Sequence, residues 1–516
     1  MAKFSTKNIG INKRAPIATT GARTATFEGG RGYVPDLESE LFLMAATYMA
    51  GERSFYETPD QREARFVDLI HQVTASNPEF VARLAPYLRN ELKIRSASIM
   101  LAAEYVAAGG AGGRKVIDSV LQRGDEPAEM IGYWHSRHGR ALKMAVKRGV
   151  ADATVRLYTE RSALRYDGVG RGIRMADVIE LTHPKARDAK QSALFKWLLD
   201  HRHHNDAVAD ARVLPKLAAA AEQAAIPADE RRKMLATAGP DALAKAGTSW
   251  ERLSGWLPGG MDAQAWEAAI PSMGVMAVIR NLCNFDEQGI STVAIETVLD
   301  RITDAEEVAK ARLFPYQVWA AYANAPSDNW KRALGTTLDL TTQNIPALDR
   351  TLVLVDMSGS MQAGVTNRST MSRVQVAAVM AAVTAKRSTN TDIAIFGATN
   401  KHVNVRKGAS VLGTVETLVK LVGAVGHSTM GHTAIRDHYN PKRHDRVVMF
   451  TDDQQHDAGR VDISHVPTIY TVDLAGYRPR STPAGERGRY TLAGFSDATF
   501  SIMQTLEAGR NADWPF

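Results

Sequence analysis

The six residues Asp356-Met357-Ser358-Gly359-Ser360-Met361 follow the apolar run Thr351 to Val355. A buried strand that delivers a carboxylate and two hydroxyls into one tight loop sets out three hard oxygen donors, the outline of a divalent-cation site. An Asp/Ser cap on a following helix is the plainer reading of the same residues. Further donors must then come from other strand ends, where open α/β sheets place their ligands. Gly431-His432-Thr433, ahead of a helix, offers a hydroxyl, and Phe450-Thr451-Asp452-Asp453, closing an apolar strand, offers a carboxylate. Thr429 competes with Thr433, which is preferred for its Gly-x-Thr form at a helix start. Asp453 is read as an outer acceptor or a surface charge. A shell of hydroxyls with few charges suits Mg²⁺ with retained waters and one open position for a carboxylate or phosphate. No general base or nucleophile stands among these residues, so the site favours binding over hydrolysis.

The second chemical signal is charge. The 516-residue chain carries a net +7 and a pI near 9.3, which points to a polyanionic partner. Between Met130 and His204 fifteen Lys/Arg stand against seven Asp/Glu, a local excess larger than that of the whole chain. His183-Pro184-Lys185 ends a helix whose buried face is Met175, Val178, Ile179 and Leu181, and with Arg171 and Arg174 it forms a candidate phosphate clamp. Helix capping by His183 is the competing reading. Tyr133, Trp134, Tyr158 and Trp197 interleave with the cations, but at helical spacing they read first as core. His135, His138, His201, His203 and His204 lack the carboxylate or cysteine spacing of a metal cluster and read as solvated or partner-facing.

Three kinds of segment must position these groups. Residues 1–35 are polar and basic, with Lys3, Lys7, Lys13, Arg14, Arg23 and Arg31 opposed only by Glu28, and read as a flexible or surface-hugging arm. Residues 36–347 are almost wholly helical in pattern, punctuated by Gly109 to Gly113, Gly168 to Gly172 and Pro258-Gly259-Gly260. So many short helices can hardly share one bundle core, which favours a solenoid of stacked helix pairs. From 348 to 516 strands and helices alternate: strands at 351–355, 392–396, 402–405, 446–450 and 468–472, helices near 371–387, 411–422, 433–438 and 497–507. Apolar strands with intervening helices imply a doubly wound, mostly parallel sheet.

The lone Cys283 excludes an intrachain disulfide and a thiolate zinc cluster, and in an apolar helix it reads as core. With no long apolar span and no signal-like start, the expectation is a cytoplasmic protein away from membranes. Gly109 to Gly113 runs into Arg114-Lys115-Val116 without the Lys-Ser/Thr pair of a phosphate-binding loop, which counts against phosphoryl transfer.

Asp-x-Ser-x-Ser, then a loop Thr, then an Asp after a late strand resembles the von Willebrand factor A domain with its metal-ion-dependent adhesion site. The resemblance maps the metal ligands onto Asp356, Ser358, Ser360, Thr433 and Asp452. Such a domain after a basic helical array resembles the Ro autoantigen (TROVE) family, on the segments Phe42-Leu43 through Ala50-Gly51-Glu52 with Phe55-Tyr56, Gly172 through Lys185, Gly274 through Leu282, and Asp356 through Met361. The resemblance implies a HEAT-like helical ring closed by the A domain and acting as a monomer. It implies a central channel for single-stranded RNA 3′ ends and an outer basic surface for small noncoding Y-like RNAs. The role it implies is non-catalytic RNA quality control or processing, with a 3′→5′ exoribonuclease such as polynucleotide phosphorylase as a partner. The expected RNA contacts are Arg137, Arg140, Lys143, Lys147, Arg165, Arg171, Arg174, His183, Lys185 and Arg187. Tyr166-Asp167-Gly168-Val169-Gly170 departs from the family by standing where relatives are more basic. A metal-dependent protein-interaction scaffold that does not bind RNA is the competing function; it predicts capture lost on chelation.

Overall fold

The computed structural model describes residues 17–48, 56–168, 170–204, 207–343, 345–365, 371–406, 408–484, 488–493, 499–500, 502–503, 514 and 516. From Leu37 to Leu340 the described chain is a succession of helices with short connections, each packed mainly on its neighbours in sequence. Local signals set their starts. Asp36 caps Leu37–Thr47 through the Ser39 amide, and Thr58 with Gln61 forms a capping box ahead of Pro59. The apolar faces build one core from Leu41 to Leu217 and a second from Leu235 onward, joined by a small seam of Ala219, Ala220 and Ala246.

The strands are β1 (Thr19–Ala25), β2 (Arg31–Pro35), β3 (Thr351–Asp356), β4 (Thr391–Phe396), β5 (Asn400–Val403), β6 (Arg446–Thr451), β7 (Ile469–Asp473) and β8 (Arg489–Ala493). The last six form one sheet in the order β5-β4-β3-β6-β7-β8, parallel except for β5. β3 is buried on both faces: Val353 and Val355 join the core beneath helix Arg373–Arg387, while Leu352 and Leu354 pack with Ala434 and Ile435 of helix Gly431–His438. That is why its sequence is apolar without alternation. The expected strands are present within a residue or two, and β8 adds one that the sequence reading lacked. The helix expected at 497–507 falls largely outside the described residues.

The arm differs from expectation. From Thr19 it is an antiparallel hairpin, β1 on β2, docked on the α/β domain: Tyr33 and Arg480 exchange backbone hydrogen bonds of 2.7 and 2.9 Å. Lys3, Lys7, Lys13 and Arg14 lie outside the described residues. Both ends of the helical array therefore meet the sheet domain. At the near end Arg65 donates to the Gly476 carbonyl (2.8 Å), Arg478 pairs with Glu40 (3.3 Å), and Phe42 and Phe80 pack against Trp514 and Phe516. At the far end Asp339 accepts from the Val411 amide and pairs with Lys386. The chain closes on itself through the sheet domain, a contact that no stretch of sequence reveals. Cys283, expected in the core, is exposed and its thiol lies 3.3 Å from the Asn324 carbonyl. Among the described residues no helix is long and apolar enough to cross a membrane.

Candidate metal centre and nucleic-acid interface

β3 and β6 are parallel neighbours with Val355 opposite Phe450, so Asp356 and the Thr451-Asp452 pair emerge side by side at the carboxyl edge of the sheet. The strand order reverses here, the place where α/β sheets open a crevice. Asp356 is fully buried; one carboxylate oxygen accepts from the Ser358 amide (2.9 Å), the other from the Thr451 hydroxyl (2.5 Å). The Ser358 and Ser360 hydroxyls are 3.3 Å apart, and the Gly359 amide fixes their loop to the His427 carbonyl. Ser360 also bonds Asp452, whose Oδ2 is buried without a hydrogen-bond partner.

Burial and the neighbouring Asp452 push the Asp356 carboxyl up to about 7. Burial, with Asp473 adding to it, pushes Asp452 up to about 6. Two carboxylates forced together out of water call for a cation. Asp453 is not a surface charge: it is buried, holds a left-handed backbone (φ 61°), bonds Ser481 and lies 3.7 Å from the wholly buried Arg480. Arg480 in turn is paired at 2.5 Å with Asp473.

The threonine comes out differently from expectation. Thr433 is half-buried at the start of its helix, with its amide on the Asp457 carboxylate (2.6 Å), an arrangement that caps the helix. Thr429 is fully buried with its hydroxyl unpartnered, on a loop tied to the A-domain edge by the His456 amide at its carbonyl. Asp356, Ser358, Ser360 and Asp452 thus stand together, and the orphaned oxygens of Asp452 and Thr429 are the atoms a hard cation would satisfy. Tyr56, which the sequence reading named only among the segments of resemblance and not as a site residue, reaches this edge from the helical part of the chain. Its phenol donates to Glu28 (2.5 Å) and is bonded by Ser360; burial first, then Glu28 and Asp452, push its ionisation upward.

The expected RNA contacts divide by what each side chain already holds. Arg174 is buried and bidentate on Asp167 (2.6 and 3.4 Å), while its amide is capped by Asp177, so it braces the turn before helix Met175–Thr182. The departure at Asp167 is thereby explained as structural. Arg137 pairs with Glu63 and the buried Glu104, Arg187 with Asp188, and Lys143 donates to the carbonyls of Val106 and Ala107. Arg140, Arg165, Arg171 and Lys185 are exposed and pair with no acid among the described residues; Arg165 lies over the Tyr166 ring. Lys147 is half-buried. His183 is exposed at the C-cap in a left-handed conformation (φ 51°), so it ends its helix and faces solvent at once. Leu181, expected on the buried face, is 37% exposed.

Among the other candidates, Trp134 and Tyr158 are core, and Tyr133 bonds Glu104. His138 and His203 sit on separate acids, Glu104 and Glu180, and His201 stacks on Trp197.

The fold and this edge define a class: a closed helical array joined to a von Willebrand-type α/β domain whose switch point gathers carboxylates and hydroxyls. The TROVE domain model matches residues 236–399, and the Ro60 vWA domain model matches residues 350–465. These two matches make the chain similar to the Ro family across residues 236–465. A curated relative, the RNA-binding protein RO60 of Deinococcus radiodurans, is 27% identical over 213 residues, and the chain spans 37% of the length of that relative and 37% of its own. The crystal structure of the Deinococcus radiodurans RO (RSR) protein superposes with a TM-score of 0.63, covering 92% of this chain and 100% of that one. At 18% identity that likeness speaks for the fold.

Proposed function

We propose that this chain is a non-catalytic RNA-binding protein that takes small structured noncoding RNA on the outer face of its helical array and single-stranded 3′ ends within the closed loop of the chain. The observation that carries this reading is the set of exposed cations Arg140, Arg165, Arg171 and Lys185, which pair with no acid among the described residues. Unpaired cations are what a phosphate backbone neutralises. A relative bearing the name RNA-binding protein supports the same reading. Processing or quality control with a 3′→5′ exoribonuclease follows as its biological setting.

The sheet edge is proposed as a Mg²⁺ centre held by Asp356, Ser358, Ser360 and Asp452, with Thr429 in the place the sequence assigned to Thr433. When bound, the ion would neutralise the two carboxylates and leave a position for one more oxygen ligand. Fluorescence anisotropy with a small hairpin RNA bearing a single-stranded 3′ tail tests the main reading. Binding that falls steeply with salt supports it; no binding at low salt refutes it.

A further inference from the structure

The hairpin turn Thr26 to Gly30 is seated on the loop that follows Asp452. The Thr26 hydroxyl donates to the Gln455 carbonyl (2.9 Å), the Phe27 amide to the Gln454 side chain (2.9 Å), and the Arg31 amide to the Ala458 carbonyl (2.9 Å). His456 Nδ1 meets the Glu28 carbonyl at 2.6 Å. The seat is tight: a Cβ on Gly30 would fall 2.0 Å from the Gln455 carbonyl oxygen. Phe27 stacks on Tyr56 with centroids 4.6 Å apart, and Tyr477 closes against both rings. This packing holds the half-buried Glu28 carboxylate on the Tyr56 phenol, and that phenol on Ser360. No Lys or Arg pairs with Glu28 among the described residues. The Glu28 carboxylate therefore stands one hydrogen-bonded phenol away from Ser360, beside a centre whose two carboxylates, Asp356 and Asp452, are buried.

We propose that the ligand at the open position of the metal centre is the chain's own Glu28, so that a divalent cation latches the N-terminal hairpin to the α/β domain and holds the helical loop closed. The inference rests on the Mg²⁺ reading of Asp356, Ser358, Ser360 and Asp452. A tethered carboxylate acts at an effective concentration of about millimolar, so an external acidic ligand must displace it before it can bind.

The test uses the full chain with Mg²⁺ alone. Calorimetry measures Mg²⁺ affinity, and hydrogen exchange follows the amides of residues 19–35 in Mg²⁺ and in EDTA. The expected result is Mg²⁺ binding with exchange in the hairpin slowed at least about tenfold by the ion. Glu28→Gln should abolish that slowing and weaken Mg²⁺ about 10- to 100-fold, the usual loss when a group supporting a metal site is removed. Gly30→Ala, which unseats the turn and leaves the sheet-edge donors untouched, should weaken Mg²⁺ in the same direction. Mg²⁺ binding in the wild type with equal hairpin exchange in Mg²⁺ and EDTA overturns the latch and leaves the metal centre standing. So does Glu28→Gln with unchanged affinity and unchanged protection. Absence of Mg²⁺ binding to the wild type overturns the metal reading and the latch with it.

Discussion

Neutralising Arg171 and Lys185 should change the salt dependence of RNA binding, while neutralising their neighbour Arg174 should change stability instead. Each phosphate contact releases condensed counterions, so the slope of log affinity against log salt is about −0.9 per contact on a duplex. If the four exposed cations Arg140, Arg165, Arg171 and Lys185 each meet one phosphate, their share of the slope is about −3.6, which between about 50 and 200 mM salt amounts to about 150-fold in affinity. Arg171→Gln/Lys185→Gln should leave about −1.8, or about 12-fold over the same interval. Arg174→Gln strands the Asp167 carboxylate, only 2% exposed, without its partner. Breaking a buried pair from one side costs about 3 to 5 kcal/mol, so that variant should unfold at markedly lower urea while the folded fraction keeps the wild-type slope. Anisotropy titrations at four salt concentrations, with urea melts alongside, read both effects. A slope unchanged in the double variant, or lowered by Arg174→Gln in the folded state, refutes the assignment.

Three further outcomes follow from the geometry. Thr429→Val should weaken Mg²⁺ about tenfold or more by calorimetry, and Thr433→Val should change it little, since the buried unpartnered hydroxyl belongs to Thr429. The carboxyls of Asp356 and Asp452, raised to about 7 and about 6, favour the protonated folded state. Their contribution to stability is therefore present below the free-Asp value and is lost as pH rises through that range, so the rise in Tm on adding Mg²⁺ should be larger at pH 8 than at pH 5. Exposed Cys283 should react with a thiol reagent in the native protein without denaturant.

What the sequence disclosed and what it hid follow from the range of the forces involved. β3 and β6 were legible because strands buried on both faces read as unbroken apolar runs, and a run ending in Asp marks the sheet edge. Asp356, Ser358 and Ser360 were legible for the same local reason. Thr429 and Thr433 are alike in type and close in sequence, one in the loop and the other in the first turn of the helix after it; only burial, set where the Gly359 and His456 amides tie that loop down, separates them. The hairpin Thr19–Ala25 with Arg31–Pro35 was hidden because its partners are Gln455, Ala458 and Arg480, more than 400 residues away, and its own residues are polar and Gly-rich. Arg174 looked like a phosphate ligand because charge is visible in sequence and burial is not. Glu28, the one acid of the basic arm, looked like background, and its link to Ser360 through a shared phenol emerges only once Tyr56 is in position.

The most direct test of the central claim is to purify the protein from its native cells at low salt and sequence the RNA that accompanies it, beside an Arg171→Glu/Lys185→Glu variant. Enrichment of one or two small structured RNAs with the wild type and their loss from the variant is the predicted result. RNA no richer than background in the wild type would contradict the account and leave metal-dependent protein capture as the function to pursue.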